Sequence, residues 1–193
     1  MSEIFGIPIQ AFMGQLMLGL VNGSFYATLS LGLAIIFGML NIINFAHGAF
    51  YMAGAMLAWM GLNYFGIGYW WSLLLAPLGV GAIGILIERS MLQWLYKLDH
   101  LYGLLLTFGL ALILEGLFRD LYGVSGQPYS IPEEFAGAYN LGFMFLPKYR
   151  AWVILASLLV CFATWFVIEK TRLGAYLRAA TENRAMVQAF GIN

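Results

Sequence analysis

The feature that most constrains this chain is a long run without charge. From Ile4 to Ile87 the sequence contains no Asp, Glu, Lys or Arg. The whole chain is 62% hydrophobic and 9% charged, whereas a soluble domain carries about 45–50% and about 25% respectively. The sequence therefore predicts a polytopic membrane protein.

The apolar segments have the length of membrane spans, since a helix crosses the hydrocarbon with about 20 residues. In lipid such segments satisfy their backbone hydrogen bonds only as helices. The expected fold is all-α, a transmembrane helix bundle with about five spans, treated as one domain over 1–193. The predicted spans lie near 13–38, 49–65, 70–87, 102–121 and 151–168.

The placement of Lys and Arg predicts the orientation of the chain. Two segments separated by two spans hold six basic residues: Arg89, Lys97, Lys170, Arg172, Arg178 and Arg184. Three others, Arg119, Lys148 and Arg150, mark the opposite side. The side with more basic residues is predicted to be cytoplasmic. The outer loop Tyr122–Arg150 contains three prolines and is either a solvated connector or a docking site for an external partner.

Several functional classes find little support in the sequence. The formal net charge is zero, so no electrostatic argument points to nucleic acid. Cys161 is the one cysteine and lies in a hydrophobic run, which argues against a metal cluster. Met1–Gln15 contains no Lys or Arg, so the first apolar segment is expected to be a retained span. We expect no cofactor and no metal.

The polar interruption NIINFAHGAFYMAG stands out within the uncharged run. Asn41, Asn44 and His47 recur every three residues, which places them on one side of a helical or 3₁₀ turn. Asn44 can cap a helix that begins near Phe45. A broken helix at membrane depth is tolerated where it meets protein or a cavity, and transporters place such breaks at their pathways. For His47 taken alone, a structural histidine is the favoured explanation.

The first span combines small and polar residues. Gly19, Gly23 and Ala27 recur every four residues, a spacing that lets helices approach closely in lipid. Asn22, Ser24 and Tyr26 should face protein or water, because unpartnered polar groups are costly in lipid. Structural hydrogen bonding and the lining of a transport path both remain open for Asn22.

The fourth span carries a carboxylate. Glu115 and Arg119 stand four residues apart, in the order preferred for a helical ion pair. An intramembrane carboxylate is a functional candidate by default, but the nearby arginine favours a structural pair. In the third span, Pro77 predicts a kink or a hinge.

The final segment TRLGAYLRAATENRAMVQAFGIN predicts a short amphipathic helix over Glu182–Phe190. Thr181 is the expected N-cap, Glu182 lies at the positive helix end, and Gly191 fits the position just after the helix. The mixed charges and small apolar face favour docking to protein over lipid.

Three stretches resemble the permease subunits of branched-chain amino acid ABC transporters, specifically the H-type subunit of the high-affinity leucine/isoleucine/valine systems. They are the first span running into NIINFAHGAFYMAG, LLLTFGLALILEGLFRDLYG, and TRLGAYLRAATENRAMVQAFGIN. The likeness covers nearly the whole chain.

The resemblance implies a non-catalytic permease in the inner membrane of a bacterium or archaeon. Its partners would be a second permease subunit, two cytoplasmic ATPase subunits and an external substrate-binding protein. Segment 169–193 would couple to the ATPase through Arg178, Glu182, Arg184 and Gly191. The substrate path would be lined by Asn44 and His47, with Asn22 and Glu115 as further candidates.

The chain departs from the family pattern in two respects. ABC importers in general carry Glu-Ala-Ala, three residues and Gly in the coupling element, and here Ala185-Met186-Val187 stands at the first three positions while Gly191 is kept. The chain also stops where the family continues into further spans, so we expect a fragment or truncated chain.

Three rival functions remain open. One is a related urea or amide permease, and another is an ion-coupled carrier that uses Glu115. A third is an intramembrane enzyme that uses His47 and Glu115 as base and acid, which is weak because these residues lie in different spans.

Overall fold

The computed structural model describes residues 3–4, 6–40, 44–142 and 145–191, and helices dominate these ranges. The long helices are α1 (Ile9–Leu40), α2 (His47–Phe65), α3 (Tyr69–Ile87), α5 (His100–Tyr122) and α6 (Lys148–Lys170). The short helices are α4 (Gln93–Leu95), α7 (Arg172–Glu182) and α8 (Arg184–Ala189). A π-helical turn, Glu88–Leu92, joins α3 to α4, and a 3₁₀ turn covers Glu133–Phe135.

In the part of the chain that the structure describes, two pairs of short antiparallel strands accompany the helices. Strand β1 (Glu3–Ile4) pairs with β2 (Ile7–Pro8), and β3 (Ala138–Asn140) pairs with β4 (Phe145–Pro147). The second pair lies in the predicted outer loop, which is therefore folded in part. Next to it, the rings of Phe135 and Trp152 stack with centroids 5.4 Å apart.

Among the described residues, four helical segments are long and apolar enough to cross a membrane: Ile9–Gly38, Tyr69–Leu95, His100–Tyr122 and Lys148–Lys170. The prediction of an all-α, polytopic membrane protein is confirmed. Helix α2 has 19 residues and is not among these four segments; it includes His47, Asn63 and three glycines. A fifth span at α2 stays a prediction.

The chain divides into two compact units. The first contains the described residues up to Ile35 and from Ile131 onwards, and the second runs from Ile36 to Ser130. The first unit thus holds most of α1 together with α6, α7 and α8, while the second holds α2, α3 and α5. The prediction of one domain over 1–193 stays a prediction.

The α2–α3 hairpin is closely packed through small residues. An added Cβ at Gly79 would lie 3.2 Å from Leu57, and one at Gly54 would lie 3.5 Å from Val80. The turn between the helices uses Gly66 at φ +65, a conformation that favours glycine. The small residues of the first span, which were predicted to allow close helix packing, make no such contact. An added Cβ at Gly19 or Gly23 meets no described atom within 4 Å.

The predicted helix Glu182–Phe190 is wrong in its first turn. Glu182 is the last residue of α7, and α8 begins at Arg184. Asn183 rather than Thr181 is the N-cap, because its side-chain Oδ1 accepts a hydrogen bond from the Met186 N–H at 3.0 Å. Thr181 instead donates to the Arg178 carbonyl within α7. The prediction for Gly191 is confirmed, since this residue has φ +79 and follows the helix end.

Candidate site at the break between α1 and α2

The candidate site is the turn that precedes α2. The Asn44 side-chain oxygen accepts a hydrogen bond from the Ala46 N–H at 2.9 Å, and the His47 N–H donates to the Asn44 carbonyl at 3.5 Å. Helix α2 then starts at His47. Asn44 therefore closes the turn before the helix, and Ala46 occupies the N-cap position expected for Asn44. Asn41, the first member of the predicted triplet, lies outside the described residues.

Thr107 of α5 holds this turn in place. Its hydroxyl accepts a hydrogen bond from the Phe45 N–H at 3.2 Å and donates to the Leu104 carbonyl at 3.1 Å. The residue is 1% exposed. The rings of Phe45 and Phe108 meet edge to face, 6.1 Å apart. A backbone N–H freed by the helix break is thus satisfied by a side chain, as membrane depth requires.

Small side chains allow α2 to approach its neighbours closely behind the turn. Ala46 is fully buried, Ala49 and Ala53 are 2% and 4% exposed, and Ala111 of α5 is 8% exposed. Close approach of this kind drives helix association in lipid. His47 is half-buried at the start of α2, so Asn44 and His47 share a turn that is anchored by hydrogen bonding and packing.

A second polar cluster joins α1 to α6 in the first unit. The Ser157 hydroxyl donates to the Ser24 carbonyl at 2.7 Å and lies 2.8 Å from the Thr28 hydroxyl, which itself lies 3.0 Å from the same carbonyl. Two hydroxyls supply only two hydrogens, so two of these three contacts are hydrogen bonds at any one time. Ser24 and Ser157 are buried.

The remaining predicted path residues lie apart from the turn. Glu115 is exposed on α5, about 12 Å along the helix from Thr107. Among the described residues the structure forms an ion pair between Arg178 and Glu169 and none between Glu115 and Arg119. The prediction of an ion pair between Glu115 and Arg119 is therefore wrong. Asn22 is exposed on the part of α1 that belongs to the first unit.

The predicted coupling residues occupy α7, α8 and the turn after α8. The Arg178 guanidinium faces the end of α6, where its Nη1 lies 3.0 Å from Glu169 Oε2. Glu182 is exposed at the end of α7, and Arg184 is the first residue of α8. The Gly191 N–H donates to the Gln188 carbonyl at 2.9 Å. Met186 and Phe190 are 59% and 78% exposed, which leaves apolar surface on this segment.

An apolar cavity of about 260 Å³ lies within the α2–α3 hairpin. Its lining includes Leu57, Met60, Tyr64, Ile67 and Ser72. The Ser72 hydroxyl already donates to the Ile67 carbonyl at 3.4 Å. A cavity with so few polar groups does not match the charged ends of an amino acid, which distinguishes it from the turn at Asn44.

Sequence reasoning missed Thr107 and Ser157. Each is a hydroxyl residue inside an apolar run, in LLLTFGLAL and ILASLLV respectively. Polar side chains within a span are expected to hydrogen-bond to another helix. This rule could have identified Thr107 and Ser157 as contact residues. The partner helix could not be inferred, because it depends on how the spans pack.

The described residues form long apolar helices followed by the short helices α7 and α8, so the fold defines a helical membrane protein. Residues 15–193 match the family described as branched-chain amino acid transport system / permease component. The chain belongs to this family.

Curated relatives extend the match to individual proteins. The chain is 27% identical over 196 residues to the high-affinity branched-chain amino acid transport system permease protein BraD of Pseudomonas aeruginosa, covering 96% of this chain and 64% of that protein. It is 29% identical over 196 residues to LivH of Escherichia coli K12, covering 94% of this chain and 63% of LivH. Similarity to LivM of the same organism is 29% over 108 residues, which covers 56% of this chain and 24% of LivM.

The chain spans less than two thirds of the length of these BraD and LivH relatives. No solved structure matches it. The resemblance to the H-type permeases is confirmed by the family match and by these relatives.

Proposed function

We propose that this chain is a membrane permease subunit of an ABC importer that takes up branched-chain or other hydrophobic amino acids. The observation that carries the proposal is the family match over residues 15–193. The relatives BraD and LivH are both named as high-affinity branched-chain amino acid permeases. The apolar, helical architecture is compatible with the passage of substrates that have aliphatic side chains.

The proposed partners are a second permease subunit, two cytoplasmic ATPase subunits and an external substrate-binding protein. Similarity to LivM as well as to LivH supports a pair of related permeases. The sequence contains no phosphate-binding G-x-x-x-x-G-K-[ST] motif, so ATP hydrolysis is assigned to a partner. The segment α7–α8 would receive the motion of that partner through Glu182, Arg184 and Gly191.

The break before α2 is the proposed contact region for substrate. Asn44 and His47 share one turn there, and Thr107 anchors it. An amide and an imidazole can both hydrogen-bond to the charged ends of an amino acid, while Phe45 and Phe108 offer apolar contact. Asn22 and Glu115 are secondary candidates for the path.

An ion-coupled carrier is the second candidate, favoured by the exposed carboxylate of Glu115 in α5. An intramembrane carboxylate can carry a proton or hold an ion. In that mechanism transport would follow an ion gradient and would need no ATPase. A urea or amide permease would differ from the main proposal only in substrate.

Affinity capture of the chain from membranes tests the proposal. We expect an ATPase subunit that carries the phosphate-binding motif to co-purify, and we expect Arg184→Glu to reduce its capture. Exposed Arg150, which is predicted to lie on the external side, provides the matched control Arg150→Glu, and this variant should leave capture unchanged. Capture of a permease without any ATPase subunit would contradict the proposal.

A further inference from the structure

The turn between α6 and α7 is unusually tight. Helix α6 ends at Lys170, and the side chain of Thr171 caps α7 by accepting a hydrogen bond from the Gly174 N–H at 3.4 Å. A Cβ added at Gly174 would lie 1.8 Å from the Ile168 carbonyl oxygen. The first turn of α7 is therefore pressed against the last turn of α6, and only glycine permits this approach.

Arg178 adds a polar connection across the same turn. Its Nη1 donates to the Ile168 carbonyl at 2.5 Å and pairs with Glu169 at 3.0 Å. Ten residues of continuous helix span about 15 Å, so this contact requires α7 to fold across the end of α6. The Ile168 carbonyl is one that the helix end leaves without an intrahelical partner, and a cation at that end is favourable.

Within the first unit, further hydrogen bonds link α7 to α8 and α6 to α1. Helix α7 passes to α8 through Asn183, whose N–H donates to the Ala179 carbonyl and whose side chain caps α8. Helix α6 is joined to α1 by the hydrogen bond from the Ser157 hydroxyl to the Ser24 carbonyl. Hydrogen-bonded joints therefore run from α8 to α1.

We infer that Arg178 is a positioning residue, which fixes α7 against the end of α6 so that movement of α8 reaches the spans instead of being absorbed at the turn. The inference rests on the proposed function, because it requires a partner that moves α8. Arg178 acts here through Ile168 and Glu169. Contact with the ATPase would be made by other residues, among them the exposed Met186 and Phe190.

The two charged side chains are about half exposed, 45% for Arg178 and 53% for Glu169. Exposed ion pairs contribute little to folding. The effect of removing this one should therefore appear in the efficiency of coupling and hardly at all in the amount of folded protein.

The test uses the assembled transporter in proteoliposomes, with leucine as substrate, and measures leucine moved per ATP hydrolysed. Arg178→Ala should retain the ATPase subunits and lower this ratio about threefold, the size expected for one exposed ion pair with a charged hydrogen bond. Arg178→Lys should restore part of the ratio, since lysine can still pair with Glu169. Arg172→Ala, which removes an exposed cation from the first turn of α7, is the matched control and should leave the ratio unchanged.

Two results would overturn the inference while leaving the proposed function intact. One is an unchanged ratio in Arg178→Ala, and the other is loss of the ATPase subunits from that variant, which would indicate direct contact. If Arg178→Ala does not fold, Glu169→Gln keeps the bond between Arg178 and Ile168 and should lower the ratio by a smaller factor. An unchanged ratio in Glu169→Gln would equally overturn the inference. Failure of the wild-type chain to capture any ATPase would instead refute the proposed function.

Discussion

The Thr107 hydroxyl in α5 accepts a hydrogen bond from the backbone N–H of Phe45 at 3.2 Å. These residues are 62 positions apart, and their contact ties the turn before α2 to α5. The turn that carries Asn44 and His47 is thus held by a buried side chain from another helix, and its geometry depends on that side chain.

Replacement of Thr107 should loosen this turn. Thr107→Val keeps the shape but leaves the Phe45 N–H unpaired in a buried position, which should cost about 1–3 kcal/mol. Thr107→Ser retains the hydroxyl and should cost less. Thermal unfolding of the two purified variants, monitored as the loss of monodisperse protein, measures both changes in stability. Equal stability of the valine and serine variants would contradict the role of the hydroxyl.

Removal of the Ser157 hydroxyl should weaken the connection between α1 and α6. Interhelical hydrogen bonds in membrane proteins average about 0.6 kcal/mol and reach about 1.7 kcal/mol, so Ser157→Ala should destabilise the protein within that range. A double-mutant cycle with Thr28→Val isolates the contact between the two hydroxyls. Strictly additive effects of the two substitutions would exclude the shared network.

A methyl group at Gly174 should not fit. Gly174→Ala places Cβ 1.8 Å from the Ile168 oxygen, and relief requires backbone movement at the turn, at a cost of about 1–3 kcal/mol. Gly103→Ala is the matched control in α5, where an added Cβ meets no described atom within 4 Å. Unfolding midpoints of the two variants should separate clearly. A Gly174→Ala protein as stable as Gly103→Ala would refute the tight turn.

Two tyrosines near the end of α5 should respond differently to loss of the hydroxyl. The Tyr129 hydroxyl is buried and has no hydrogen-bond partner among the described residues, so Tyr129→Phe should leave stability unchanged or raise it by up to about 1 kcal/mol. The Tyr122 hydroxyl donates to the Met60 sulfur at 3.1 Å, so Tyr122→Phe should lower stability slightly. The order of the two unfolding midpoints checks this prediction, and the reverse order would contradict it.

The helices could be predicted from the sequence because long apolar segments in a membrane satisfy their backbone hydrogen bonds as helices. Helices α3 and α5 cover the ranges 70–87 and 102–121, because the length of an apolar run sets the length of the helix; that these helices cross the membrane over those ranges stays a prediction. The break before α2 was visible in the spacing of Asn44 and His47. The resemblance carried by the same residues led to the family that the chain matches.

Contacts between individual side chains could not be predicted in the same way. The sequence places Glu115 and Arg119 at pairing distance on one helix, yet neither side chain joins the other in the structure, because exposed ion pairs on a helix contribute little free energy. The sequence assigned Arg178 to the coupling segment and gave no sign of its contact with Glu169, which depends on the tight turn at Gly174. The sequence predicted Thr181 as the cap, whereas the structure uses Asn183, because the cap position depends on where α7 ends.

Uptake of labelled leucine by the reconstituted transporter tests the central claim most directly. Proteoliposomes containing this chain with the proposed permease and ATPase partners should accumulate leucine only with hydrolysable ATP and the proposed external binding protein. Glu115→Gln should retain most of this uptake. Accumulation driven by a proton or sodium gradient without ATP, and abolished by Glu115→Gln, would contradict the account in favour of an ion-coupled carrier.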